Sequence, residues 1–277
     1  MPGPIVTLTT DFGTADPFVG TMKGVILGIN PHVAIVDITH EVPPQDVHGG
    51  AFLFDTACRY FPGSTIHTLV VDPGVGTGRP PLLVVGPDAY FVGPDNGILS
   101  YCYVRAGFSV PDADPFTQMQ VRLPPGWHAY HLTNEQYQRH PVSSTFHGRD
   151  VFAPAAAYLS RGVPPGQLGT KVEYVTAFSV PKPEQDGDGL VGRVLQVDRF
   201  GNLVTNIPAA ALVTPDAALV IEVDGQQVKG LARSYQDGEP LLAIIGSHGY
   251  LELGATNRSA AELLGVGAGA VVRVAVA

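Results

Sequence analysis

Apolar residues in the first half of the chain fall into short continuous runs and into helically spaced sets. The continuous runs at residues 5–10, 33–38 and 66–71 predict buried β-strands. Between the first two runs, apolar side chains recur every three or four positions. This spacing predicts a helix that begins with Asp16 as its N-cap and ends at Asn30. Strands that alternate with helices and are apolar throughout are typical of an α/β domain with a mostly parallel, covered sheet.

The same pattern continues to the middle of the chain. Asp46 is the predicted N-cap of a second helix, whose apolar positions include Cys58. Residues 82–85 and 89–92 predict a strand pair, and residues 151–159 predict a further helix.

The composition changes near residue 180, where residues 181–189 are rich in proline and charged side chains. We therefore predict an α/β domain at residues 1–178, a linker at 179–189 and a smaller β-rich, barrel-like domain at 190–277. The predicted strands of the second domain are residues 190–197, 203–207, 218–223, 241–245 and 271–276.

Net charge and cysteine content narrow the classes of function. A formal net charge of -9 argues against nucleic-acid binding, which needs a basic surface. Cys58 and Cys102 form no CxxC motif and are predicted to be small, buried, reduced thiols. The sequence has no signal-peptide pattern and no apolar run of membrane-spanning length. We therefore expect a soluble cytoplasmic protein with no membrane partner.

Acidic side chains follow the predicted strands, at the edge where α/β sheets bind ligands. Asp11 follows the first strand and Asp72 follows the third, while Asp37 and His40 lie at the end of the second. A carboxylate in such a position can bind both hydroxyls of a ribose, orient a water molecule, or close a turn. The residues alone leave these alternatives open.

The segment GVGTGR at residues 74–79 resembles a phosphate-binding loop only weakly, because its glycine spacing differs from GxGxxG and two prolines follow it. We interpret it as a tight turn that brings Arg79 close to Asp72. The guanidinium is expected to lower the pKa of the Asp72 carboxyl and to fix its orientation. His147 precedes a predicted helix, and its side chain could point into the sheet-edge cleft or lie in a surface turn.

Nine histidines raise the question of a metal site. There is no HExxH motif, and Asp37, His40, Asp46 and His48 form a loose group without a distinctive spacing. We therefore predict no metal site. A metal-dependent phosphoester hydrolase that uses these side chains is an alternative.

Six segments, in this order, resemble the S-adenosyl-methionine (SAM) hydrolases, also called hydroxide adenosyltransferases, which are relatives of the SAM-dependent fluorinase and chlorinase. The resemblance runs from Thr9 nearly to the C-terminus. It implies a Rossmann-like N-terminal domain, a β-barrel-like C-terminal domain and a homotrimer. It also implies active sites between the N-terminal domain of one subunit and the C-terminal domain of its neighbour. The segments are TTDFGTADPF, VDPGVGTGR, GPDNGIL, FHGRD, VDRFGNLVTNI and GSHGYL.

The resemblance also implies a reaction. Hydrolytic members carry an Asp–Arg–His set that corresponds to Asp72, Arg79 and His147, whereas halogenating relatives carry tyrosine at the Asp72 position and lack the histidine. This set favours water over halide as the nucleophile. We expect hydrolysis of SAM to adenosine and methionine by attack at the ribose C5′, with SAM as the substrate and no cofactor. A chlorinase-like halogenase and a non-catalytic SAM or adenosine sensor are alternatives.

Substrate-binding positions follow from the same resemblance. Asp11 would hold the ribose hydroxyls, Asp16 the methionine amine, and Phe146 would lie near the reacting carbon. Asp198 and Ser247 would hold the amino-acid end of the substrate. The other implied positions are Phe200, Asn202 and Tyr235, which would line the adenine and methionine pocket, the backbone near Asn257 at the adenine edge, and His248, which stands where the fluorinase has arginine.

Overall fold

A computed structural model describes residues 3–212, 219–237 and 240–276. The chain divides into two compact units, residues 1–180 and 181–277. Their boundary coincides with the change of composition near residue 180. Within the predicted linker, residues 184–186 form a strand that pairs with a strand of the second unit. This part of the predicted linker therefore belongs to the second unit.

The first unit begins with alternating strands and helices, as the apolar pattern predicts, and continues with additional short strands. Its elements are β1 (Ile5–Thr10), α1 (Phe18–Ile29), β2 (Ala34–Thr39), α2 (Val47–Cys58), β3 (Thr65–Val70), β4 (Pro81–Val85), β5 (Ala89–Pro94), α3 (Ser100–Arg105), β6 (Gln118–Arg122), β7 (His128–His131), α4 (Ala153–Ser160), β8 (Thr170–Val172) and β9 (Tyr174–Phe178).

Seven of these strands form one mixed sheet in the order β2-β1-β3-β5-β4-β7-β8. The pairs β1–β2, β1–β3 and β3–β5 are parallel, and the other three pairs are antiparallel. The prediction of a mostly parallel sheet therefore holds for its N-terminal strands only. The connection between β4 and β5, residues 86–88, is too short for a crossover, so these strands pair as a hairpin.

The two predicted helix caps have different outcomes. The Asp46 side chain caps α2 by accepting a hydrogen bond from the Gly49 backbone N–H at 2.9 Å, as predicted. The prediction that Asp16 caps α1 is wrong, because the N-cap residue is Pro17 and no side chain caps this end. Asp16 lies just before the helix with an exposed side chain.

The core of the first unit forms where α1 and α4 pack on the sheet. Helix α1 buries Val19, Met22 and Ile26, which share one face because they are spaced by three and four residues. Strand β3 is buried at every position, as expected of a central strand with both faces covered. These contacts fix the carboxyl ends of β1 and β3, where Asp11 and Asp72 follow.

The second unit consists of β10 (Glu184–Asp186), β11 (Gly189–Val197), β12 (Leu203–Pro208), β13 (Leu219–Val223), β14 (Gln226–Lys229), β15 (Leu241–Ile245), β16 (Tyr250–Ala255), α5 (Ala260–Leu264) and β17 (Val271–Val276). Its strands form a barrel-like antiparallel sheet in the order β14-β13-β17-β11-β12-β16-β15, with β10 paired to β11. The sequence pattern missed β14 and β16, and residue 218 of a predicted strand lies outside the described residues.

Within the described ranges, no helix has the length and hydropathy needed to cross a bilayer.

Candidate active site

A tight turn after β3 brings Arg79 back to Asp72. The turn starts with a hydrogen bond from the Val75 N–H to the Asp72 carbonyl at 3.2 Å. Gly76 has a φ of 74°, and a Cβ there would lie 2.2 Å from the Ser144 carbonyl oxygen, so the turn requires glycine. Arg79 Nε then donates to Asp72 Oδ1 at 3.0 Å, and Nη2 donates to Oδ2. The predicted proximity of Asp72 and Arg79 is confirmed.

His147 joins this pair from a distant segment. It immediately precedes a single π-helical turn at residues 148–152, which leads into α4. Its Nδ1 lies 3.2 Å from Arg79 Nη2, the same nitrogen that contacts Asp72. A guanidinium has only donors, so Nδ1 must accept and the ring proton must lie on Nε2. His147 is therefore held as the neutral tautomer with Nε2–H free to donate.

The electrostatics of the group differ from the prediction in one respect. Burial raises the pKa of the Asp72 carboxyl above its usual value, and the attraction of Arg79 only partly offsets that effect. The expectation that Arg79 would leave the pKa of Asp72 lowered is therefore wrong. Burial first, and then the charge of Arg79, lowers the pKa of His147 below 6.5. Both shifts follow from the exclusion of water around the three side chains.

Arg79 is fixed on several sides. Its side chain is 8% exposed and that of Asp72 is 5% exposed, so the ion pair is shielded from solvent. The guanidinium carbon lies 5.5 Å from the centre of the Phe152 ring, within the range of a cation–π contact. Its Nη1 is buried and has no hydrogen-bond partner among the described residues. The guanidinium is thus a rigid link between a carboxylate and an imidazole.

A cavity of about 370 Å³ opens beside this group. Three phenylalanines form one of its walls. The Phe146 ring lies 5.8 Å from that of Phe12 and 5.3 Å from that of Phe18, in both cases edge-on. Sequence reasoning singled out Phe146 but missed Phe12 and Phe18, although both lie in the segment TTDFGTADPF. The sequence feature that could have indicated them is their position close to Asp11, the carboxylate that follows β1.

Asp11 lies in the same cavity lining as Asp72 and His147. Its Oδ2 accepts a hydrogen bond from the Gln45 backbone N–H at 2.8 Å, so the carboxylate does close a turn. The cavity location and the turn contact coexist, because a carboxylate has several lone pairs.

The other strand-end groups do not converge on this cavity. Asp37 pairs with Lys23 and with His40, whose Nε2 lies 3.1 Å from Asp37 Oδ1. Asp46 caps its own helix and His48 stacks on an aromatic ring. Among the described residues, no three of the side chains of Asp37, His40, Asp46 and His48 place ligand atoms within 4.8 Å of one another.

In the second unit, Asp198 organises the turn between β11 and β12. Its Oδ1 accepts from the backbone N–H groups of Phe200 and Asn202 at 2.8 and 2.9 Å, and its Oδ2 accepts from the Asn202 side-chain amide at 2.9 Å. This turn leaves Phe200 78% exposed.

Asn202 and Tyr235 approach each other across Gly254. A Cβ at Gly254 would lie 3.0 Å from Asn202 Oδ1 and 3.1 Å from the Tyr235 ring. The Tyr235 hydroxyl donates to Glu252 at 2.6 Å, and His248 Nε2 lies 3.3 Å from the other oxygen of this carboxylate. Gly254 thus lets Tyr235 approach Asn202, and the Glu252 carboxylate links Tyr235 to His248.

Glu252 is a member of this group that sequence reasoning missed. It is buried, yet the hydrogen bonds from His248 and Tyr235 outweigh burial and lower its pKa. Its signal in the sequence is an acidic residue within the apolar run of β16. Ser247 and Asn257, by contrast, are exposed, and Asn257 has a φ of 54°.

Comparison with known proteins identifies the family. Residues 6–169 match the family model of the SAM hydroxide adenosyltransferase N-terminal domain, and residues 192–273 match that of the C-terminal domain. The chain belongs to the SAM hydroxide adenosyltransferase family. This family member is 36% identical over 277 residues to the (R)-S-adenosyl-L-methionine hydrolase of Salinispora tropica, across 99% of this chain and 98% of that protein.

Two further comparisons extend this result. A protein of the same name from Thermus thermophilus is 37% identical, across 97% of this chain and 98% of the relative, whereas a fluorinase from an Actinoplanes species is 28% identical across 94% and 92%. The crystal structure of an uncharacterized conserved protein from Thermotoga maritima aligns with a TM-score of 0.84 at 32% identity, covering 98% of this chain and 99% of that one. The hydroxide adenosyltransferase fold therefore extends over both units.

Proposed function

We propose that this protein hydrolyses SAM to adenosine and methionine, with water as the nucleophile at the ribose C5′. The observation that carries the proposal is the contact of one guanidinium, Arg79, with both Asp72 and His147 beside a cavity, in a chain of this family. The relatives named SAM hydrolases support the substrate.

Asp72 and His147 act on the attacking water. Each Asp72 oxygen accepts one hydrogen bond from Arg79 and keeps a lone pair, so the carboxylate can accept a water proton. His147 donates through Nε2–H to the water oxygen and fixes its position. The raised pKa of Asp72 makes this carboxylate a better proton acceptor than an exposed one.

The displacement of methionine by water needs no oxidant, reductant or other co-reactant. As the bond from the water oxygen to C5′ forms, the C5′–sulfur bond breaks and its electron pair neutralises the sulfonium. The water loses a proton, and methionine leaves as a neutral thioether. Positive charge disappears from sulfur along this path, so a site with little water around the sulfonium favours the reaction.

The Phe12–Phe18–Phe146 wall provides such surroundings. Aromatic rings exclude water and attract a cation through their π faces. Phe146 contacts the rings of Phe12 and Phe18 edge-on, so the wall presents a fixed surface to the substrate. We assign Phe146 to the vicinity of the reacting carbon.

We assign the remaining contacts by family position. Asp11 binds the ribose hydroxyls, and Asp16, whose side chain is exposed, binds the methionine amine. Asp198 Oδ2 accepts one hydrogen bond within its turn and keeps a lone pair for the amino-acid end. The other assigned contacts are Phe200, Asn202, Tyr235, Ser247, His248 and Asn257.

The same proposal includes a cytoplasmic homotrimer with each active site shared between the N-terminal domain of one subunit and the C-terminal domain of its neighbour. The exposure of Phe200 supports this arrangement, because an exposed side chain can line a substrate pocket that is shared with a neighbouring subunit. SAM is the substrate, and the displacement uses no cofactor or metal. Native mass spectrometry of the purified protein tests the assembly, and a monomer would contradict it.

The test of the function is a product assay with purified protein, SAM and a metal chelator. We expect equimolar adenosine and methionine, and loss of both products in Asp72→Asn. The matched control is Asp114→Asn, an exposed carboxylate outside the site. A chloride-dependent 5′-chloro product would support a halogenase. Loss of activity with chelator would support a metal-dependent hydrolase, and binding without turnover would support a sensor.

A further inference from the structure

A second cavity, of about 490 Å³, lies at the opposite edge of the sheet from Asp72. Its lining includes His67 near the start of β3 and Ala89 at the start of β5, whereas Asp72 follows the end of β3. Both cysteines of the chain line this cavity, together with Arg105. The proposed hydrolysis uses none of these residues.

The two thiols lie side by side although they are distant in sequence. Cys58 is the last residue of α2 and Cys102 is in α3, and their Sγ atoms are 3.9 Å apart. Both are buried, as predicted, and both are free. Their separation is close enough for a hydrogen bond, and a closure of about 2 Å would form a disulfide.

Arg105 polarises this pair. Its Nη2 lies 3.2 Å from Cys58 Sγ and 3.6 Å from Cys102 Sγ, and its Nε lies 2.9 Å from Asp55 Oδ1. The guanidinium is therefore closer to Cys58 than to Cys102. Since Asp55 holds the guanidinium in place, negative charge on the pair is best stabilised at Cys58.

The same geometry argues against a metal ion at these thiols. Ligand atoms of Asp55, Cys58 and Cys102 lie within 4.8 Å of one another, which is close enough to share a cation. Arg105 already contacts all three groups, so its own positive charge occupies the position that a metal would take. A guanidinium cannot be deprotonated to make way.

The titration behaviour agrees with this arrangement. The hydrogen bond from Cys102 lowers the pKa of Cys58 against the opposing effects of burial and of the Asp55 charge, and the charge of Arg105 adds to the lowering. The same hydrogen bond and burial raise the pKa of Cys102. Cys58 is therefore the more acidic thiol of the pair. A thiol of lowered pKa next to a second thiol is the arrangement of thiols that react with peroxide.

We propose that Cys58 and Cys102 form a peroxide-reactive site, in which Cys58 is oxidised first and Cys102 then closes a disulfide. The Cys58 thiolate attacks hydrogen peroxide, the O–O bond breaks, and hydroxide leaves, which gives a sulfenic acid. The Cys102 sulfur attacks the Cys58 sulfur, and the displaced hydroxide leaves with the Cys102 proton as water. Two electrons pass from the sulfur pair to the peroxide.

The experiment treats the full-length, reduced protein with hydrogen peroxide, blocks the remaining thiols by alkylation and maps the peptides by mass spectrometry. We expect a Cys58–Cys102 disulfide that dithiothreitol reverses. In Cys102→Ser, a sulfenic-acid trap should label Cys58, whereas in Cys58→Ser it should leave Cys102 unlabelled. Labelling of Cys102, or two alkylated thiols after a treatment that oxidises free cysteine, would overturn the proposal.

Arg105→Gln tests the polarisation. We expect a several-fold slower reaction of Cys58 at neutral pH, with the difference disappearing above the usual thiol pKa of about 8.5. The matched control, Arg59→Gln, removes a guanidinium that lines the same cavity but lies over the Tyr60 ring, and it should react at the wild-type rate. If Arg105→Gln does not fold, the pH dependence of the wild-type rate provides the test. A rate that rises tenfold per pH unit up to the usual thiol pKa of about 8.5 would refute a lowered pKa at Cys58.

Discussion

Nη2 of Arg79 lies 3.2 Å from Nδ1 of His147 while it also donates to the Asp72 carboxylate. One nitrogen thus fixes the relative position of an acid and an imidazole from separate segments. It also fixes the ring tautomer, because the guanidinium has only donors and Nδ1 must accept. The proposed hydrolysis depends on this link, since a water between the two side chains needs one acceptor and one donor in fixed places.

Arg79→Lys breaks the link while it keeps the charge. An ammonium cannot make two parallel hydrogen bonds to Asp72 and also contact His147, so both side chains lose their orientation. We expect kcat to fall by about 10²-fold or more, with a smaller change in KM, in steady-state assays of adenosine release. Arg122→Lys, at an exposed ion pair with Glu173, is the control. Wild-type kcat in Arg79→Lys would contradict the role of the link.

The activity should fall at acidic pH because His147 must stay neutral to accept from Arg79. The pKa of His147 is lowered from 6.5, so the neutral form persists below that pH and is lost as the pH falls through the lowered pKa. Protonation of Asp72, whose pKa is raised from 3.8, acts in the same direction. A pH profile of kcat should therefore show its acid limb below pH 6.5.

The variant His147→Asn separates these two contributions, since asparagine does not titrate. Its residual activity should lack the His147 part of the acid limb and follow Asp72 alone. Circular dichroism at each pH controls for unfolding. An acid limb in His147→Asn that coincides with that of the wild type would show that His147 is not the titrating group.

Asp46 and Asp16 should respond differently to alanine. Asp46 caps α2, so Asp46→Ala should lower the free energy of unfolding by about 1 kcal/mol. Asp16 makes no cap, so Asp16→Ala should leave the free energy of unfolding unchanged and raise KM through loss of the proposed amine contact. Denaturant titration and steady-state kinetics of both variants measure the two effects. Equal destabilisation by both substitutions would contradict this distinction.

Phe146→Leu should weaken substrate binding while it keeps an apolar side chain. The loss of a ring beside the sulfonium is expected to reduce binding by about 1 kcal/mol, equivalent to about a fivefold higher KM. The control is Tyr60→Leu, at a ring that is 72% exposed and outside this cavity. Unchanged KM and kcat in Phe146→Leu would remove Phe146 from the site.

The sequence predicted those contacts of the site that form between residues close together in the chain. Asp72 and Arg79 are seven residues apart, so one glycine turn decides their contact. His147 is 68 residues from Arg79, and only the family resemblance linked them. The direction of the Asp72 pKa could not be predicted, because it depends on how many distant side chains exclude water from the carboxyl. The contact between Cys58 and Cys102 could not be predicted either, because the two residues are 44 positions apart in the chain.

The fold was predictable to a similar degree. Continuous apolar runs predicted β1, β2 and β3, and β1 and β3 are buried along their length, as parallel strands covered on both faces should be. The prediction that β2 is buried is wrong, because this strand lies at the edge of the sheet and has exposed positions. Strand β16 could not be predicted in this way, because the acidic Glu252 interrupts its apolar run. The Glu252 carboxylate is stabilised by His248 and Tyr235 rather than by solvent. Asp16 followed by Pro17 has the sequence of a capped helix start, yet the side chain remains exposed.

The source of the oxygen in adenosine is the most direct evidence for attack of water at C5′. The purified protein is incubated with SAM in water labelled with a heavy oxygen isotope, and both products are analysed by mass spectrometry. We expect one labelled oxygen in adenosine, at the 5′-hydroxyl, and none in methionine. Unlabelled adenosine, or release of adenine in place of adenosine, would contradict attack of water at C5′.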